Sequence, residues 1–179
     1  MEKINDGLTE KTVNENYVYK GKILNLRKDV VMLPDGNGAI REIVEHSGGS
    51  AIVCEKDGKY LLVKQFRYPY KEIIYEIPAG KLNKGEDPSE TAKRELEEEG
   101  GIIAERVEKI TEVYPSPGYT EEIIHIYRAI GLTEGTAHLD KDEFLRAEWF
   151  SKDELIKMIK NGEIKDAKTI IGLLMTFNK

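Results

Sequence analysis

Three glutamates, Glu95, Glu98 and Glu99, stand three and four residues apart within Arg94-Glu95-Leu96-Glu97-Glu98-Glu99-Gly100-Gly101. In a helix that spacing brings all three carboxylates to one side. Like charges so placed destabilise a helix by roughly 0.2–0.5 kcal/mol a pair. Acids in a last helical turn also oppose the macrodipole, at about 0.3–1 kcal/mol each when exposed. The i, i+4 pairs Glu90–Arg94 and Arg94–Glu98 offset part of this. A local rule broken repeatedly on one element marks a site; the competing reading is a solvated acidic face. Glu86, just ahead of the helix, adds another carboxylate. All these donors are oxygen, with no cysteine or histidine within twenty residues on either side. That set suits Mg2+ or Mn2+ rather than Zn2+, and more than one ion. Paired divalent ions neutralise and polarise a phosphate or diphosphate.

The local text positions these acids. Asp87 is a good N-cap, Pro88 fits the first helical position, and Glu90 falls three residues after Asp87. The spacing predicts a helix from Pro88 to about Glu99, ended by Gly100-Gly101. Ala92 and Leu96 form a narrow apolar stripe beside the glutamates, so the acidic side adjoins the packed face.

Around this helix the chain reads largely as strands. Residues 1–16 are polar without periodicity. Tyr17–Leu33 and Ala39–His46 flank a Pro34–Gly38 turn, giving an N-terminal antiparallel β-unit over residues 1–46, with the main domain at 47–179. Ser50–Glu55 and Tyr60–Phe66 flank an Asp57-Gly58 hairpin turn. Tyr75–Pro78, Ile102–Tyr114, Ile123–Ile130 and Ala147–Phe150 read as further strands, and Gly131–Phe144 as a long loop. Ser151 and Glu154 form a capping box for a helix to about Asn161. A last helix, about Asp166–Phe177, carries an apolar stripe at 167, 170, 171, 174 and 177. The class is α+β with a mixed sheet. The chain has 179 residues and a net charge of −6, so no basic footprint argues for nucleic acid or anionic lipid. No apolar run nears the ~18 residues a membrane span needs, and the polar N-terminus lacks a signal-peptide core. The single cysteine, Cys54, reads as a small core residue. The default is a reduced, cytoplasmic protein.

Gly80, Glu86 and Arg94-Glu95-Leu96-Glu97-Glu98-Glu99-Gly100-Gly101-Ile102 together resemble the Nudix box, Gly-x5-Glu-x7-Arg-Glu-U-x-Glu-Glu-x-Gly-U, where U is a bulky aliphatic residue. All nine specified positions are met. The resemblance implies a Nudix-type α/β/α sandwich and hydrolysis of a nucleoside diphosphate linked to another moiety X. It implies Glu95, Glu98, Glu99 and the Ala79 carbonyl as metal ligands, Glu86 as an acid behind them, and Arg94 as the residue orienting the glutamates through ion pairs. Mg2+ is the expected ion, with Mn2+ possible.

The run Val63–Pro69 followed by Glu76–Leu82 looks like the lead-in of the ADP-ribose pyrophosphatase subfamily. Ser116-Pro117-Gly118-Tyr119-Thr120-Glu121-Glu122 is similar to that subfamily's Ser-Pro-Gly-x-x-x-Glu. The resemblance therefore implies a homodimer, through the N-terminal unit, acting on ADP-ribose or a related nucleoside diphosphate sugar. Candidate substrate contacts are Arg67, which can clamp a phosphate bidentately, with Tyr68, Ser116, Gly118, Tyr119 and Glu122. The base for the attacking water comes from Asp140, Asp142 or Glu143; Glu143 is our choice and Glu122 its rival. The expected reaction gives AMP and ribose 5-phosphate. Two alternatives stand beside it: cleavage of another sugar nucleotide or dinucleotide, and a non-catalytic ADP-ribose or nucleotide sensor. His125, inside an isoleucine-rich strand, reads as a sheet histidine rather than a catalyst.

Overall fold

The structure, a computed structural model, describes residues 7–141 and 143–178. Asp142, one of the acids considered above, lies outside them. Packing divides the chain into two compact units: residues up to Ser47 with Ser116–Glu122, and Gly48–Pro115 with Ile123–Lys179.

The first unit is a four-stranded antiparallel sheet of β1 (Lys11–Asn14), β2 (Tyr17–Lys20), β3 (Leu24–Met32) and β4 (Gly38–His46). β1 and β2 share one edge of β3, and β4 runs along the other. β1 corrects the reading of residues 1–16 as featureless. All four of its residues are exposed, so no apolar alternation announces it; its ladder with β3 makes it a strand. Ser116–Glu122 joins this unit through its backbone. Val44 N–H donates to Tyr119 O at 2.7 Å, and Glu121 N–H to Val44 O at 3.2 Å.

The second unit has two sheets. Its strands are β5 (Gly49–Val53), β6 (Glu55–Lys56), β7 (Lys59–Arg67), β8 (Glu72–Glu76) and β9 (Ala79–Lys81). After helix α1 (Pro88–Gly100) come β10 (Ile102–Val113), β11 (Ile124–Glu134) and β12 (Leu145–Ser151). Helices α2 (Lys152–Lys160) and α3 (Ala167–Phe177) end the chain. One sheet, ordered β10-β11-β5-β9, is mixed because β11 and β5 run parallel. The other sets β12 on one edge of β7 and β6 and β8 on the other. Asp57 and Gly58 hold φ of 53° and 74°, as a two-residue hairpin turn requires.

Strand alternation sorts the core into two clusters. Ala51, Val53, Leu62 and Ile126 face Leu155, Met158 and Leu173 of the terminal helices. Ile52, Cys54, Leu61 and Tyr127 face Ala92 and Leu96 of α1, with Trp149 partly buried against them. The sheets thus lie between α1 and the α2–α3 pair, the α/β/α arrangement expected. Burial pushes the Cys54 thiol up to about 12, as befits an inert core residue.

Two elements differ from the sequence reading. β11 continues to Glu134 instead of giving way to loop at Gly131, because Leu132–Glu134 find partners in Ile102–Ala104. In α3 the buried face is Thr169, Gly172 and Leu173, while Ala167 and Leu174 are exposed. Ile170, Ile171 and Phe177 of the expected stripe do pack against the core, and Thr169 joins them: its Oγ1 accepts from the Ile77 N–H at 2.8 Å, a bond that hydropathy patterning does not register. No helix among the described residues is long and apolar enough to cross a membrane.

Candidate active site

The acids are carried by α1, whose two ends are fastened as the local sequence suggested. The Asp87 carboxylate accepts from Ser89 N–H at 2.8 Å, and Pro88 occupies the first turn. Glu90 does not close a box on Asp87 or pair with Arg94; it takes a bond from Lys93 at 2.9 Å. At the far end Gly101 adopts φ 63°, ψ 29°, a left-handed cap that costs a side-chain-bearing residue dearly. Its N–H returns to Glu97 O at 2.9 Å. The segment after β11 then closes over the helix end: Gly135 N–H donates to Gly101 O at 2.9 Å and His138 N–H to Glu98 O at 3.0 Å. His138, silent in the sequence, serves through its backbone, and this contact anchors the loop that leads to Glu143.

Thr91, Ala92, Glu95, Leu96 and Glu99 are the buried residues of α1, so two of the three glutamates point into the protein beside the apolar stripe. Arg94 gathers Glu95, Glu98 and Glu86. Its Nη1 lies 2.7 Å from Glu95 Oε1 and 2.8 Å from Glu98 Oε2, and its Nε 3.1 Å from Glu86 Oε1. Glu86 is steadied further by Asn83 N–H at 3.0 Å, and its carboxyl is held down to about 2, first by Arg94. Glu99 accepts from Ala79 N–H at 3.0 Å, which ties the helix to the start of β9.

Burial pushes Glu95 up to about 7, against the pull of Arg94, with Glu98 and Glu143 adding repulsion. Burial likewise pushes Glu99 up to about 8; the Ala79 bond opposes it, and Glu95, Glu143 and Glu76 reinforce it. Four carboxylates from three parts of the chain therefore feel one another at Glu99. A Cβ on residue 80 would fall inside the Glu95 carboxylate, so Gly80 is what lets that side chain lie against β9. Among the described residues no three acidic, histidine or cysteine side chains converge on one point as they stand, since Glu95 and Glu98 are turned to Arg94. The donors nonetheless fit a hard divalent cation in kind. They are oxygens, and two belong to the buried carboxylates of Glu95 and Glu99. Glu95, Glu98, Glu99 and the Ala79 carbonyl are the residues that would hold it.

The remaining candidates fall in two places. Glu143 belongs to the second unit and acts electrostatically on Glu95 and Glu99; its N–H donates to Asp140 O at 3.0 Å in a local turn. Arg67 ends β7, where its Nε and Nη2 bind Glu76 bidentately at 2.5 and 2.9 Å, and Glu99 acts on its charge. Tyr68 is exposed in the β7–β8 turn, with Lys71 Nζ 3.0 Å from its ring centre. Ser116, Gly118, Tyr119 and Glu122 all lie in the first unit. There Glu122 stands 3.4 Å from His46 Nδ1. His125 is a sheet residue 3.5 Å from Glu112. Sequence reasoning missed Glu76 as the partner of Arg67 and Lys168 as the second cation on Glu76. Arg67 and Glu76 are brought together by the pairing of β7 with β8, and nothing local pointed to Lys168, ninety-two residues beyond Glu76.

Residues 44–172 match the sequence model described as NUDIX domain, and residues 10–44 that of the nucleoside diphosphate sugar hydrolase N-terminal domain. The chain is 44% identical over 169 residues to an ADP-ribose pyrophosphatase of Bacillus subtilis (strain 168), covering 93% of this chain and 91% of the relative. It is also 44% identical over 167 residues to a methanol dehydrogenase activator of Bacillus methanolicus, covering 92% and 90%. Among solved structures, a crystal structure of an ADP compounds hydrolase shares the fold with a TM-score of 0.84. That match has 18% identity over 96% of this chain and 94% of the other.

Proposed function

The chain belongs to the Nudix family, and from that premise we propose that it hydrolyses the diphosphate of ADP-ribose to AMP and ribose 5-phosphate. The observation that carries this reading is the pair of buried carboxylates on α1, Glu95 and Glu99, with Glu99 tied to the Ala79 N–H at the start of β9. The identity to an ADP-ribose pyrophosphatase over nearly the whole chain supports the choice of X. Nudix hydrolases use a divalent metal; Mg2+, with more than one ion, is our assignment. When bound, the metal supplies charge neutralisation and polarisation of the diphosphate. Arg94 spaces and orients Glu86, Glu95 and Glu98 through its three ion pairs. Glu143 takes the proton of a water as its oxygen attacks phosphorus and the bridging P–O bond breaks. Arg67 offers a planar fork to a phosphate oxygen pair.

We further infer a cytoplasmic homodimer. The sheet of the first unit leaves Val18, Tyr19, Val30, Met32 and Ile40 exposed, an apolar area that supports association with a second copy. Light scattering should then give twice the 20.4 kDa chain mass. The equal likeness to a methanol dehydrogenase activator supports a second reading, in which the chain activates a dehydrogenase. A panel of ADP-ribose, other nucleoside diphosphate sugars and dinucleotides, assayed with Mg2+ and with Mn2+, tests the first reading. ADP-ribose should be turned over fastest. Brisk cleavage of another member without AMP release from ADP-ribose would overturn the substrate; no turnover of any member would favour a binding or activating role.

A further inference from the structure

Lys168 sits in the first turn of α3, where a cation opposes the helix dipole. It is also largely buried, with 11% of its side chain exposed. Both are unfavourable for lysine, and the structure shows what compensates them. Its Nζ binds Glu76 Oε2 closely and lies 3.1 Å from Asp166 Oδ2. The start of α3 is fixed against the strand end that carries Glu76. Asp166 accepts from Thr169 N–H at 3.0 Å, and Thr169 Oγ1 in turn accepts from the Ile77 N–H. Lys168 is therefore aimed at Glu76 by backbone and cap bonds on both sides.

Glu76 is 3% exposed and carries two cations, Lys168 and Arg67. Arg67 spends both Nε and Nη2 on it. Its Nη1 hydrogens and the second Nη2 hydrogen form another edge that is not spent on Glu76 and that can face a phosphate, provided Glu76 holds the guanidinium in place. A buried carboxylate stripped of its partner is strongly unfavourable. Glu76 has a second partner that no substrate competes for. We propose that Lys168 is a positioning residue that pins the Glu76 carboxylate, and through it holds the Arg67 guanidinium with its outer edge toward a phosphate of the substrate. This rests on the reading of Arg67 as a phosphate contact. Lys168 itself touches neither substrate nor the reacting atoms.

The test compares wild type, K168M, K168R, R67A and R67A/K168M in steady-state assays on ADP-ribose with Mg2+, with melting temperatures recorded in parallel. K168M should raise KM about tenfold while kcat changes less than about threefold, the signature of lost substrate binding. K168R should recover most of the loss. R67A/K168M should be no worse in KM than R67A, because both changes act through one guanidinium. An unchanged KM in K168M, or additive effects in the double variant, would overturn the proposal. A merely structural lysine would lower the melting temperature and leave KM alone. Should K168M fail to fold, E76Q/K168M removes the buried charge with its counter-ion and should still raise KM, because Arg67 loses its anchor; a KM near wild type there contradicts the idea. Failure of the substrate reading shows separately, in the wild type: the KM comparison then moves to whichever diphosphate is cleaved. If none is cleaved, it moves to the calorimetric Kd for ADP-ribose.

Discussion

Glu98 differs from its two neighbours in burial: 28% of its side chain is exposed, against 9% for Glu95, and its contact is the Arg94 guanidinium. Glu98→Gln keeps the size and an acceptor for Arg94 but removes the charge. We expect kcat to fall by about 10²-fold or more, with the melting temperature and ADP-ribose affinity little changed; near-wild-type turnover would remove Glu98 from the chemistry. The choice of base is a contest between Glu143 and Glu122. Glu143 acts on the charge of Glu95 and Glu99, whereas Glu122 is engaged with His46 in the first unit. Glu143→Gln should therefore lower kcat by roughly 10²–10⁴-fold with KM held within a few-fold, and Glu122→Gln should not. The reverse ranking in the same assay would transfer the role to Glu122.

At the scale of elements, α1 is useful because both its ends are tied down. Gly101 makes this testable: a side chain there must adopt a left-handed backbone, and its Cβ would lie 3.2 Å from Ala137 N. Gly101→Ala should cost about 1–2 kcal/mol in chemical denaturation and depress kcat by disturbing the segment that leads to Glu143. Loss of stability with full kcat would show that loop placement is immaterial to catalysis. The start of α3 gives a second prediction. Burial pushes the Glu76 carboxyl up, but the Arg67 bond and the Lys168 charge outweigh it, and the group titrates below the usual glutamate range. A carboxyl lowered in the folded state contributes stability that is complete above its unfolded pKa, about 4.3. That contribution is lost as pH falls through the folded value. Wild type should thus lose stability more steeply than Glu76→Gln below about pH 4.3 in urea titrations; parallel pH profiles would contradict this. These two elements also mark what the sequence could and could not disclose. The Asp87 cap, Pro88 and the three glutamates lie within thirteen residues, so helical periodicity exposes them together. The Arg67–Glu76–Lys168 cluster is assembled by strand pairing and by a helix from the other end of the chain, and no local period encodes it. β1 stayed hidden because its residues are all exposed, and the α3 face because Thr169 and Gly172 bury without being hydrophobic.

For the whole molecule, the sandwich sets α1 on one face of the sheets, with Glu99 tied to the start of β9, while α2 and α3 close the opposite face. The fold class was legible because strand alternation and helix caps are written locally. The division that assigns Ser116–Glu122 to the first unit was not, since it depends on backbone bonds to Val44 seventy-five residues or more away. We propose this acidic helix end as a divalent-dependent site for cleaving the diphosphate of ADP-ribose. The most direct measurement is product analysis of ADP-ribose incubated with metal-free protein, before and after adding Mg2+. AMP and ribose 5-phosphate should form in equal amounts with Mg2+, and neither with chelator or in Glu98→Gln. Equal AMP release with and without chelator, or none from ADP-ribose under any cation while another nucleoside diphosphate compound is cleaved, would contradict it.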